Sequence, residues 1–146
     1  MKLKFIFLGK KSSSAYDLIM RDYLKRINSY VSSEFIIISD KKEQKIEQKI
    51  EQILKPRDCF VTLDEQGKSF TTMEFADFID TKKNMFNSFV LLIGGSYGIP
   101  KSIIKKSHIV ISLSKMTLPH MMARLIIVEQ IYRIFTILHN HPYHHE

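Results

Sequence analysis

A single α/β domain, with a mainly parallel sheet covered by helices on both faces, is the fold this sequence predicts. Three observations lead to it. Short, nearly uninterrupted apolar runs alternate with stretches whose apolar residues recur at helical spacing, the pattern of strands buried on both faces and joined by helices. The chain has 146 residues, 45% hydrophobic and 25% charged, which suits one globular domain with one core, residues 1–146. Polar or glycine-bearing loops follow three of the apolar runs, where ligands collect in open α/β sheets, outside the carboxyl ends of the strands.

Taken in order, "KLKFIFL" (Lys2 to Leu8) is the first strand, and Tyr16, Ile19, Met20, Tyr23, Leu24 and Ile27 mark the first helix. "EFIIIS" is the second strand. "KKEQKIEQKIEQIL" is an amphipathic helix with Ile46, Ile50, Ile53 and Leu54 on one face, and Pro56 stops it. "CFVTL" (Cys59 to Leu63) is the third strand and "TTMEFADFID" the third helix, capped by Thr71 or Thr72. "SFVLLI" (Ser88 to Ile93), a short helix from Pro100, "HIVISL" (His108 to Leu113) and a long last helix after Pro119 complete the series.

Composition narrows the setting. Cys59 is alone, so no intramolecular disulfide forms, and no secretory signal pattern opens the chain; a cytoplasmic protein is expected. The most apolar segment, Met121 to Leu138, contains Arg124, Glu129, Gln130 and Arg133, so it reads as a buried helix of a soluble protein and not as a membrane span. The formal net charge of +7 is localised. Residues 1–80 hold 14 Lys and Arg against 13 Asp and Glu, whereas residues 81–128 hold no acid and carry Lys82, Lys83, Lys101, Lys105, Lys106, Lys115 and Arg124. Such a stretch is either a solubilising surface or the footprint of a polyanion binder, for which nucleic acid is the natural candidate.

Three loops carry the candidate chemistry: Leu63 to Lys68, Gly94-Gly95-Ser96-Tyr97-Gly98, and Leu113 to Leu118. The glycine loop lacks the G-x-G-x-x-G spacing with a following acid, and no G-K-[ST] occurs, which disfavours dinucleotide and nucleoside-triphosphate folds. By itself it is either a tight strand-to-helix turn or a place where a ligand approaches bare backbone. His139, His141, His144 and His145 have no nearby Cys and only Glu146 as acid, so no metal site is expected.

"LLIGGSYGI", "LSKMTLPH", "EQIYR" and "NHPYHHE", in that order, together with "MKLKFIFLGK" and "TLDEQGK", resemble the small SPOUT-class (α/β-knot) methyltransferases that modify a pseudouridine of large-subunit ribosomal RNA at nitrogen 3. The resemblance covers essentially the whole chain. It implies a trefoil knot over about residues 88–140, S-adenosylmethionine held in the knot, an obligate homodimer, and ribosomal RNA as substrate. A chain this short is expected to depend on a large preformed surface for recognition, which an assembled ribosome would offer. Carried over by residue, it places the cofactor on Leu63, Gly94, Gly95, Leu113, Ser114, Lys115, Met116, Thr117 and Leu118. Met116 and Leu118 are open to a plain core reading as well.

The 139–146 tail carries the remaining candidate chemistry. A pseudouridine imide must lose its proton before it attacks a methyl group, so His and Tyr as proton acceptors or relays and a cation to steady the imidate are the groups to seek: Tyr143, His144, Arg133 and His120. Which of them is the base is open. Glu129 and Arg133 are spaced to pair on the helix or across a dimer. Lys101, Lys105, Lys106, Arg124 and His145 are the expected RNA contacts, with His145 standing where family members usually carry Arg or Lys. The last helix, apolar on nearly every side, needs more cover than one small domain offers, and a second subunit would supply it. The non-enzymatic alternative is a basic RNA-binding or ribosome-associated module without chemistry.

Overall fold

Ten elements alternate along the chain in the computed structural model, which describes residues 1–145; Glu146, the last residue of the expected tail, lies outside them. They are β1 (Lys2–Leu8), α1 (Ser14–Ile27), β2 (Ser32–Ile38), α2 (Glu43–Ile53), β3 (Asp58–Ser69), α3 (Thr72–Lys82), β4 (Ser88–Ile93), α4 (Lys101–Ile104), β5 (Ile109–Ser112) and α5 (His120–Leu138). The five strands form one sheet in the order β2-β1-β4-β3-β5, and every pairing is parallel.

Strand alternation sorts the core into two layers. Phe5 and Phe7 of β1, Val61 of β3 and Leu91 of β4 face α1, α3 and α5, where Met20, Ile79, Ile131 and Phe135 meet them. Ile6 and Leu8, with Phe60, Val90 and Leu92, face the opposite way onto Ile46 and Ile50 of α2 and Ile103 of α4. Both faces of each central strand are therefore apolar, which is why these segments read as continuous hydrophobic runs.

Local signals hold at several boundaries. Thr71 caps α3, its hydroxyl accepting the Glu74 N–H at 3.1 Å, and α2 stops at Ile53, short of Pro56. Pro100 stands one place before the first residue of α4, not inside it. The larger departure is β3, which runs on to Ser69 where "TLDEQGK" suggested a loop. Leu63 and Lys68 both pair with Ile111, so residues 64–67 bulge out between them. Gly67 allows the strand to close again, since a Cβ there would lie 2.7 Å from the Val110 carbonyl carbon.

α5 packs on α1 and α3 through Ile127, Val128, Ile131, Ile134 and Phe135, all buried. Its other side is less well covered: Met122 is 43% exposed, and Leu125, Ile126 and Ile137 are half-buried. Among the described residues no helix is long and apolar enough to cross a membrane.

Candidate active site

The carboxyl ends of β3, β4 and β5 and the first turn of α5 enclose a cavity of about 330 Å³. The three sequence-predicted loops meet in it. Leu63, Gly94, Gly95, Leu113, Ser114, Met116 and Leu118 line it, as does His120; Lys115 and Thr117 share the last loop but are exposed and do not line it. Met116 is 76% exposed and thus no core residue.

Each wall has a local cause. Ser112 donates its hydroxyl to the Ser114 carbonyl at 2.8 Å, and the Ser114 hydroxyl accepts the Met116 N–H at 2.9 Å, so two serines fold the 112–116 loop. The glycine loop closes through the Gly98 N–H on the Gly95 carbonyl at 3.0 Å, with Gly98 at φ +74°. Gly94 and Gly95 are bare for a reason the sequence did not disclose. A Cβ on Gly94 would lie 2.9 Å from the Gly98 carbonyl carbon, and one on Gly95 would lie 2.6 Å from the Leu8 carbonyl oxygen. The protein's own backbone occupies the space, so a larger residue such as Val at position 94 would distort the loop itself and not merely fill ligand space.

The β3 bulge adds Asp64, Glu65 and Gln66 to the lining. Asp64 accepts the Gln66 N–H at 2.9 Å, which shapes the bulge. The sequence marked the Leu63 to Lys68 loop but assigned only Leu63 of it to the site, and nothing in it pointed to Ala123 of α5; Gly67, unusual inside a strand, was the signal for the bulge.

The remaining catalytic candidates form a second cluster at the far end of α5. Glu129 accepts from Arg133 Nε at 3.0 Å and from the Tyr143 hydroxyl at 3.0 Å, so the Glu129–Arg133 pair closes on its own helix. Arg133 Nη1 lies 3.2 Å from His144 Nδ1, and its guanidinium sits 4.9 Å over the Tyr143 ring. Tyr143 packs edge-on to Tyr132 at 4.7 Å. Asn140, at φ 56°, ends the helix in the left-handed region, and the His141 N–H returns to the Thr136 carbonyl at 2.8 Å, which folds the tail back along α5. Burial and its bonds to Tyr23 and Glu129 push the Tyr143 hydroxyl well above its ordinary range. It therefore keeps its proton at neutral pH and donates to Glu129, which argues against Tyr143 as the base. The bond to Glu129 likewise raises Arg133 and fixes its charge.

His120 and Arg133 stand thirteen positions apart on α5, roughly 20 Å along the axis. Within one chain, then, His120 joins the three loops of the cavity while Arg133, Tyr143 and His144 do not.

The expected RNA contacts also divide. Lys101, Lys105 and His145 are exposed, and Lys106 is exposed but paired with Glu51 of α2 at 2.6 Å. Arg124 departs from expectation. Its side chain is fully buried, with Nη1 and Nη2 on the carbonyls of Lys10 and Leu8, because it fills the junction between α5 and the end of β1; it faces no RNA. No group of three metal-binding side chains occurs among the described residues.

Comparison with known proteins gives a consistent picture. The sequence profile of a family described as "Predicted SPOUT methyltransferase" matches residues 1–144. The chain is 40% identical to "Ribosomal RNA large subunit methyltransferase H" of Parabacteroides distasonis and 40% identical to the protein of that name from Flavobacterium psychrophilum. It is 39% identical to that from Bacteroides thetaiotaomicron. Each alignment covers 100% of both chains.

Proposed function

This chain belongs to the SPOUT methyltransferase family, and from that premise we propose that it moves a methyl group from S-adenosylmethionine to nitrogen 3 of a pseudouridine in large-subunit ribosomal RNA, as a cytoplasmic homodimer acting on the assembled ribosome. The observation that carries this reading is the cavity, where all three loops assigned from the sequence converge.

The lining suits the cofactor. Leu63, Leu113 and Leu118 offer an apolar slot for adenine, with exposed backbone beside them, and Asp64 and Glu65 place two carboxylates at the lining of a site whose ligand carries an ammonium and a sulfonium. The bound cofactor supplies an activated methyl. The protein's share is to hold the acceptor in line with it and remove the acceptor's proton. His120 and His144 are the proposed proton acceptors, and Arg133, charged and half-buried beside His144, is the proposed cation that steadies the imidate. Because the two clusters lie at opposite ends of α5, we assign each complete site to two subunits, with the tail of one reaching the cavity of the other. The under-covered strip of Met122, Leu125, Ile126 and Ile137 is the proposed dimer face. The proposed knot lies in residues 88–140, where the chain passes from edge strand β5 back to pack α5 on α1.

The decisive experiment offers the purified protein and labelled cofactor to assembled ribosomes, free large subunits and naked RNA from a strain lacking the modification, with mass spectrometry to locate the methyl. Methylation of assembled ribosomes at a pseudouridine is expected, and no transfer to any of the three would refute the reading. A smaller effect concerns charge. Replacing Lys101 and Lys105 by Gln should weaken ribosome engagement and lower the slope of log affinity on log salt by about 1–2, with cofactor affinity unchanged. Lys106, tied to Glu51, should contribute less than either.

A further inference from the structure

Arg124 is the largest fully buried side chain of the protein, and among the described residues no carboxylate pairs with it. Nη1 donates to the Lys10 carbonyl at 2.8 Å and the Ser12 hydroxyl at 3.1 Å, and Nη2 donates to the Leu8 carbonyl at 3.0 Å. The guanidinium also lies 5.0 Å over the Phe7 ring. A desolvated cation without a counter-ion is expensive, and an apolar residue of similar size would fill the same space more cheaply. What the guanidinium provides in return is a rigid fork with several donors, which neither Lys nor an apolar side chain can imitate.

The fork holds the turn that supports the cofactor cavity. Leu8 is the last residue of β1, and Gly9 follows at φ 108°. Gly95, in the cavity wall, rests directly on this turn: a Cβ on it would lie 2.6 Å from the Leu8 carbonyl oxygen. A Cβ on Gly9 would lie 3.7 Å from both Arg124 Nη2 and the Gly95 Cα. Arg124 itself follows Ala123 and lies one helical turn beyond His120, and both of those residues line the cavity. Direct contacts therefore run from Arg124 to the Leu8 carbonyl, from there to Gly95, and so to the space where the ligand sits.

We infer that Arg124 is a positioning residue for the cofactor site, clamping residues 8–12 and thereby fixing Gly95 in the cavity wall. This rests on the assignment of the cavity to S-adenosylmethionine, but the clamp can be tested apart from it. Arg124→Lys keeps the cation and loses the fork. Ser12→Ala removes one acceptor and leaves the carbonyls of Leu8 and Lys10 and the Met121 sulfur. With each variant, cooperative unfolding, S-adenosylmethionine binding by calorimetry and amide exchange at Gly9 and Gly98 are measured. Those two N–H groups are donated to the carbonyls of Ile38 and Gly95.

Arg124→Lys should unfold cooperatively, bind the cofactor about tenfold more weakly, and exchange the Gly9 and Gly98 amides faster while Leu91 in β4 keeps its protection. KM for the cofactor should rise with kcat at saturation largely retained. Ser12→Ala should shift affinity the same way by about twofold to threefold. Wild-type affinity and wild-type Gly98 protection in a cooperatively folded Arg124→Lys protein would overturn the proposal and leave Arg124 as a fastening between α5 and β1. If Arg124→Lys does not fold, Ser12→Ala decides by the same two readouts. If the wild type itself fails to bind the cofactor, the functional reading falls, and the exchange rates still decide the clamp.

Discussion

Removal of residues 141–146 should lower methyl transfer by about a hundredfold or more while S-adenosylmethionine binding and dimerisation persist. Tyr143 and His144 belong to the cluster around Glu129 and Arg133 and do not line the cavity of their own chain, so under the proposed reading their loss removes the groups that position and deprotonate the acceptor and leaves that chain's cavity walls intact. Calorimetry and single-turnover methylation on the same preparation measure the two separately. A truncated protein that keeps full activity would place the chemistry elsewhere. The sharper form mixes a tail-deleted subunit with one whose cofactor loop is disabled. Only the pocket of the tail-deleted subunit can then be complete, and only by borrowing its partner's tail. Inactive, verified heterodimers would mean that the tail serves its own subunit or that both pockets must be filled.

Gly95→Ala is the substitution expected to disable that loop. The added methyl would meet a main-chain carbonyl at 2.6 Å, and a backbone atom of a central strand has little room to yield. The glycine loop should therefore move, with cofactor affinity falling by about a hundredfold and stability by about 1–3 kcal/mol. Calorimetry and urea unfolding read these out. Gly98→Ala makes an informative contrast: nothing lies within 4 Å of its Cβ, so its cost comes from the positive φ alone. Unchanged affinity in Gly95→Ala would show that the wall can shift without consequence for the ligand.

Most of the architecture was legible because each strand announces itself locally. Phe5 to Leu8 and Phe89 to Ile93 are apolar without a break, as only strands covered on both sides can be. The three loops of the site were legible by rule, since they follow strand ends. Arg124 was misread because a sequence records charge but not depth: an unpaired arginine in a basic stretch resembles a surface cation until its acceptors, Leu8 and Lys10, more than a hundred residues earlier, come into view. The bulge at Asp64 to Gly67 was hidden for a related reason, because it depends on β5 pairing twice through Ile111. The division of His120 from Tyr143 along α5 likewise needed the folded helix and the returning tail.

The middle of the sheet sets a timetable for synthesis. β1 lies between β2 and β4, and its pairing with β4 joins Lys2 to Ser88. A growing chain can lay β1 beside β2 early, but the other edge of β1 stays unpaired until Ile93 has emerged. At ribosomal speed the interval from Ile38 to Ile93 is roughly 3–10 s, during which an apolar strand edge lies open to misplaced neighbours. The cavity at the ends of β3, β4 and β5, which also needs the start of α5, forms only after that gap is closed.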